Sequence, residues 1–218
     1  MEEVEAQRGS LLEKEDVDEN EKLNKLGRGR FPCQRVAGNH ILVFGKPLGR
    51  RFPMHCLMGP DWWCSLITLV LIVGPAVFMF MRVLSLFTAW GVVGLIISTV
   101  CTVSFCLTAF SDPGILQRQT RQELEHMDPS RIPKDGILCG MCNIYRPPHA
   151  SHCYDCNACI SGHDHHCPWT GKCIGERNLK SFYVFLVSIF AHLVFVLVVI
   201  NHWLVTTRVH HHRLRGSA

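Results

Sequence analysis

The chain has 218 residues, 48% of them hydrophobic and only 18% charged, with a formal net charge of +4 and a mean hydropathy of +0.15. Charged residues fall below the ~25% usual for soluble domains, which argues against a fully soluble enzyme and against a disordered protein. Twelve cysteines and thirteen histidines exceed what an average chain carries, while the basic excess is too small to indicate nucleic-acid binding.

Residues 1–30 read as a solvated cytosolic tail. They hold nine of the eighteen acidic residues, six of the twenty-two basic ones and no aromatic, so they cannot bury enough apolar surface to offset the entropy of ordering. A short amphipathic helix over 11–26 is the structured alternative. The acidic start has no apolar stretch of the kind a signal peptide needs. Residues 31–61 form a juxtamembrane segment. Within it the run VAGNHILVFG at 36–45 joins Gly-Asn turn chemistry to a β-branched stretch, which predicts a small strand pair lying at the membrane surface.

Three stretches contain no Asp, Glu, Lys or Arg: 62–81, 83–111 and 181–207, of 20, 29 and 27 residues. At 1.5 Å per residue about 20 residues cross the ~30 Å hydrocarbon core, so all three read as transmembrane helices. Gly74-Pro75 lies inside the first, where membrane helices tolerate it. Trp62, Trp63 and Trp203 sit near span ends, where amphipathic rings favour the interface. Only Arg82 separates the first two stretches, so 62–111 is a helical hairpin that returns the chain to its starting side. That side holds Arg35, Lys46, Arg50, Arg51 and eight further Lys or Arg between 112 and 180, and the positive-inside rule makes it cytosolic. Residues 112–138 are a cytosolic linker and 139–180 a Cys/His-rich domain. The third helix, 181–207, leaves a tail at 208–218 whose Arg208, Arg213 and Arg215 would lie on the translocated side. That breaks the charge rule and predicts a C-terminal truncation. The expected fold is thus an α-helical polytopic membrane protein with a small cytosolic zinc-stabilised lobe between the second and third helices.

Seven cysteines and five histidines fall between 139 and 173. On the cytosolic side thiols stay reduced, so a disulfide framework is not expected. Cys139-x2-Cys142 and Cys153-x2-Cys156-x2-Cys159 have metal-knuckle spacing, which for two linked knuckles with interspersed histidines indicates structural zinc. Two tetrahedral sites need eight ligands. Seven Cys with one His would leave no free thiol; six Cys with two His would leave one. In the second case Asp164-His165-His166-Cys167 is the place for an activated nucleophile, because a carboxylate can orient an imidazole that takes the thiol proton. A thiol pKa lowered from ~8.5 would make the thiolate available. Spacing alone leaves both assignments open for Cys167.

The run Cys139-x2-Cys142-x9-His152-Cys153-x2-Cys156-x2-Cys159-x4-Asp164-His165-His166-Cys167-x5-Cys173-x4-Asn178-x3-Phe182 resembles the DHHC cysteine-rich domain of protein S-acyltransferases, the palmitoyltransferases. Asp112-Pro113-Gly114 resembles that family's DPG motif, and Arg146-Pro147-Pro148 and Cys167-Pro168-Trp169 fit as well. The resemblance covers roughly residues 31–205. It implies one CCHC zinc site at Cys139, Cys142, His152 and Cys159 and a second at Cys153, Cys156, His166 and Cys173. It implies catalytic roles for Asp164, His165 and Cys167. His149 and His163 receive no role and read as surface residues.

The resemblance further implies a palmitoyl-CoA:protein-cysteine S-palmitoyltransferase. Cys167 would attack palmitoyl-CoA or another long-chain acyl-CoA and pass the chain to cysteines of protein substrates at the cytosolic face. Two structural Zn²⁺ ions, a lipid membrane and no nucleic acid complete the expected partners, and Golgi or ER endomembrane is the expected location. Arg146, Lys172, Arg177 and Lys180 are candidates to meet CoA phosphates. Cys101 and Cys106 read as packing residues of the second helix. Cys33, Cys56 and Cys64 flank the membrane and are candidates for lipid attachment themselves. The family has at least four spans and a TTxE motif after the fourth, and Leu179 stands where an aromatic is usual. These departures make a non-catalytic, membrane-anchored zinc-binding paralogue or isoform, acting by partner binding, the alternative function.

Overall fold

The computed structural model describes residues 34–44, 56–84 and 88–216. The expected tail at 1–30, Arg50, Arg51 and Cys33 lie outside the described residues. The chain opens with strands β1 (Gln34–Ala37), β2 (His40–Phe44) and β3 (Cys56–Met58), which pair antiparallel in the order β1-β2-β3. The strand pair expected from 36–45 is therefore part of a three-stranded sheet. Three residues are too few for β3 to show an alternating pattern in the sequence.

Helices α1 (Trp62–Arg82) and α2 (Ala89–Phe110) follow, and α4 (Leu179–Gly216) ends the chain after a short α3 (Arg121–Glu125). Among the described residues three helices are long and apolar enough to cross a membrane: Trp62–Arg82, Ala89–Phe110 and Leu179–Val209. Each leaves large apolar residues exposed, among them Val70, Leu71, Val187, Phe190 and Leu197. So much apolar surface on a small chain is what lipid-facing helices present. The inner faces pack through Ile72, Cys101, Phe105, Ala109 and Phe185, and at the other end through Met79, Phe195, Val196 and Val199. Phe105 and Phe185 meet at 5.3 Å between centroids. Polar rungs cross between α2 and α4: Ser104 Oγ lies 3.1 Å from Ser188 Oγ, and Ser98 Oγ 3.4 Å from His192 Nδ1. Gly94 makes room for Phe195, whose ring would lie 2.7 Å from an added Cβ.

The helix boundary expected at 207 moves. Helix α4 runs 38 residues to Gly216 and carries Arg208, Arg213 and Arg215 with it. No Gly or Pro stands between 179 and 215 to stop it. At 1.5 Å per residue it is about 57 Å long, well beyond the hydrocarbon core.

Between α2 and α4 lie three antiparallel hairpins: β4 (Ile137–Cys139) with β5 (Ile144–Arg146), β6 (Ser151–Cys153) with β7 (Ala158–Ile160), and β8 (His165–Cys167) with β9 (Lys172–Ile174). Strands this short bury little, and the lobe's main core is only Leu42, Leu57, Ile115, Cys153, Cys156, Ala158, Ile160 and Cys173. The N-terminal sheet completes it. Gly38 (φ +55°) and Asn39 form the β1–β2 turn, and Asn39 N–H donates to Cys156 O at 2.9 Å while its side-chain amide donates to Asp155 O at 2.8 Å. The sheet thus serves the Cys/His lobe.

Candidate active site and metal centres

Hairpin geometry sorts the cysteines and histidines. Successive strand residues face opposite sides. On β6, His152 therefore points one way and Cys153 the other; on β8, His166 points away from His165 and Cys167. Register adds the partners: His152 lies opposite Cys159, and His166 opposite Cys173. The outcome is two four-donor groups, Cys139–Cys142–His152–Cys159 and Cys153–Cys156–His166–Cys173, each with all its donor atoms within 4.8 Å of one another.

Both groups fit zinc. In the first, His152 Nδ1 lies 3.7, 3.3 and 3.7 Å from the sulfurs of Cys139, Cys142 and Cys159. In the second, His166 Nδ1 lies 3.5, 3.4 and 3.6 Å from those of Cys153, Cys156 and Cys173. Ordinary Zn–S and Zn–N bond lengths put neighbouring tetrahedral donors about 3.6 Å apart. Charge points the same way. Hydrogen bonding from Cys159 pulls the Cys142 thiol down to about 5, and hydrogen bonding from Cys173 pulls Cys156 down to about 3. The donors of those bonds, Cys159 and Cys173, are pushed up. Several thiols this close cannot all ionise alone, and a divalent cation at the centre removes the conflict. All described cysteines are free thiols.

The other face of β8 carries His165 and Cys167, and Asp164 stands directly before the strand. His165 Nδ1–H donates to Asp164 Oδ2 at 2.7 Å, which leaves Nε2 as the basic nitrogen. The imidazole rests edge-on against Phe182 at 5.3 Å, in the first turn of α4. Cys167 is 8% exposed and opens a 3₁₀ turn, Pro168–Thr170. This turn lies on the start of α1, where Thr68 Oγ1 donates to Trp169 O at 3.0 Å. Gly171 closes it at φ +79°, and a Cβ there would stand 2.2 Å from Ser65 Oγ. Cys167 is thereby held at one end of the helix bundle.

Two further anchors hold this end. Asp112 is buried; Oδ1 accepts from Gly114 N–H and Ile115 N–H at 2.8 and 2.9 Å, and Oδ2 pairs with Arg177. Asn178, fully buried, accepts from Gly175 N–H at 2.8 Å and donates to Thr108 O and Cys173 O at 3.3 and 3.1 Å. These contacts join the exit of α2 to the entry of α4.

Several expectations change. Lys172 is no phosphate ligand: it is fully buried, Nζ donates to Leu57 O at 2.7 Å, and burial holds its ammonium down to about 7. Arg177 is engaged by Asp112, and Arg146 donates to Ala150 O. His163 is half-buried, not superficial, and its Nε2 finds no hydrogen-bond partner among the described residues. His149 is exposed, as expected. Cys56 and Cys64 are buried, which counts against lipid attachment there, and Cys101 is fully buried in the helix bundle. Sequence reasoning missed Asp61, whose carboxylate meets His166 Nε2 at 2.8 Å from 105 residues away. The one available signal was an acid directly before a charge-free run.

Comparison with known proteins adds to this geometry. Residues 133–216 match the family model described as DHHC palmitoyltransferase. Over 101 residues, 41% of this chain and 13% of the relative, the sequence is 42% identical to Palmitoyltransferase ZDHHC5-A of Danio rerio. Over 114 residues it is 38% identical to Palmitoyltransferase ZDHHC8 of Mus musculus, covering 45% of this chain and 15% of that protein. Palmitoyltransferase ZDHHC14 of Mus musculus matches at 35% over 133 residues, 50% of this chain and 26% of that protein. The matched region thus spans between about an eighth and a quarter of these relatives. The lobe with two nested Cys/His groups, seated between the second and third of the three described membrane-capable helices, thus lies in a region that is similar to the DHHC palmitoyltransferases.

Proposed function

We propose that the chain is a protein S-acyltransferase that moves a long-chain acyl group, palmitoyl above all, from acyl-CoA to protein cysteines through a thioester on Cys167. The observation that carries this reading is the 2.7 Å contact of Asp164 with His165 on the strand that ends at Cys167. Asp164 fixes the His165 tautomer, and Nε2 takes the proton of the Cys167 thiol. The Cys167 sulfur attacks the thioester carbonyl; the new C–S bond forms, the bond to CoA breaks, and the proton returns from His165 to the departing CoA sulfur. In the second half the thiol of a protein substrate gives its proton to His165 and attacks the acyl-Cys167 thioester, which frees Cys167. Thioester exchange is nearly thermoneutral, so the chain mainly supplies positioning and a poised thiolate.

Cys167 at the mouth of the bundle suits an amphipathic substrate. The acyl chain lies among the helices, gaining ~0.8 kcal/mol per buried CH₂, while CoA stays in water. Lys180, exposed at the start of α4, is the best placed of the four basic candidates for a CoA phosphate. Zinc would be structural, held by Cys139, Cys142, His152 and Cys159 and by Cys153, Cys156, His166 and Cys173; four protein donors leave no open position. The N-terminus and the lobe face the cytosol, in Golgi or ER membrane. The test is self-acylation of the detergent-purified chain with alkyne-tagged palmitoyl-CoA, with Cys167→Ser as control. Label on the wild type alone, released by hydroxylamine, supports the reading. No label on a protein that retains two zinc ions overturns it in favour of a partner-binding lobe.

A further inference from the structure

Asp61 occupies the N-cap of α1, where Asp is favoured because its carboxylate accepts from first-turn N–H groups. Here the side chain makes no capping bond. Its Oδ2 instead meets His166 Nε2 at 2.8 Å. His166 turns Nδ1 toward Cys153, Cys156 and Cys173, so Nε2 carries the proton and donates it to Asp61. The backbone repeats the link, since Asp61 N–H donates to Gly171 O at 3.2 Å. The first metal group has no counterpart: His152 also turns Nδ1 to its sulfurs, but its Nε2 is buried without a hydrogen-bond partner among the described residues.

We infer that Asp61 is a positioning residue for the second metal group, orienting His166 as a ligand and tying that group to the first turn of α1. A carboxylate behind a ligating histidine fixes its ring and raises its basicity, and its loss typically costs 10–100-fold in metal affinity. The second group shares strand β8 with Cys167. The same contact therefore sets where the thiol of Cys167 stands relative to the membrane helix. The carboxylate is thus turned to His166 and not to the first-turn N–H groups of α1.

The inference rests on the acyltransferase reading only for its consequence at Cys167. Zinc release reads it without any acyl transfer, so the two can fail separately. The experiment uses the full chain in detergent with two zinc ions loaded. A chromogenic chelator follows release, and alkylation with mass spectrometry reports which thiols open. Asp61→Asn comes first, because it keeps volume and an oxygen for Nε2–H; Asp61→Ala removes both, and Asp61→Glu keeps the charge. In Asp61→Asn one of the two ions should leave about 10-fold faster than in the wild type, with Cys153, Cys156 and Cys173 alkylated and Cys139, Cys142 and Cys159 protected. Asp61→Ala should be faster still, and Asp61→Glu closer to the wild type. Wild-type release of both ions from Asp61→Asn overturns the inference, as does faster release confined to the Cys139 group. A lower thermal midpoint with both ions retained at wild-type rates also overturns it, since Asp61 would then serve only the start of α1.

Discussion

The two metal groups are built from the same donors, three cysteines and a histidine that turns Nδ1 to them, yet they are wired to different parts of the molecule. The Cys139 group has a small core of its own, Cys139, Cys142, Ile144 and Cys159, beside exposed Ile137, Leu138 and Met141. It is tied to the linker after α2, where Leu116 N–H donates to Cys159 O at 2.8 Å and Gln119 N–H to Cys142 O at 3.2 Å. The Cys153 group is packed under the N-terminal sheet, touches α1 through Asp61 and shares a strand with Cys167. Identical chemistry thus performs two tasks. One group closes the outer part of the lobe, and the other fixes the candidate nucleophile against the membrane.

This contrast can be broken experimentally. Cys173→Ala removes a donor directly opposite His166 and should reduce Cys167 thioester formation at least 100-fold, while Cys139→Ala should cost about 10-fold; second-group ligation and hairpin register both depend on Cys173. Equal losses in a gel-based labelling assay would erase the distinction. Asp164→Asn leaves both metal groups intact but frees the His165 tautomer. It should lower the rate of thioester formation about 10²-fold with zinc content unchanged at two ions. Asp112→Ala cuts the linker arm, stranding two backbone N–H groups and Arg177. It should lower stability by about 3 kcal/mol, read as a lower thermal midpoint in detergent. Ser188→Ala removes a rung between α2 and α4 that neither group touches. It should cost only ~0.6 kcal/mol and leave zinc release unaltered.

Much of this architecture is written locally. Charge-free runs mark the membrane helices because lipid excludes ionised side chains, and the paired CxxC knuckles mark the lobe because thiols at that spacing converge on one ion. The strand alternation that sends His165 and His166 to opposite faces is also local. What sequence reading missed depends on long-range packing. Lys172 reads as a surface base, yet β9 turns it inward onto Leu57 O, 115 residues away. Asp61 carries no motif that marks it in the sequence, and only the docking of α1 on the Gly171 turn brings it to His166. The third helix overruns its apolar stretch because its end depends on helix breakers, not hydropathy.

The nested order of the donors has a mechanical consequence. An ion in each group would tie a stretch of about twenty residues, 139–159 and 153–173, and the two stretches overlap at 153–159. Tyr154 and Asp155 in that overlap are exposed, the sort of site a protease would attack. With both ions bound, a cut there would not release the halves, because donors of each site lie on both sides of it. Metal would act as a pair of cross-links. The severed chain should migrate as one particle in detergent and separate only when a chelator is added.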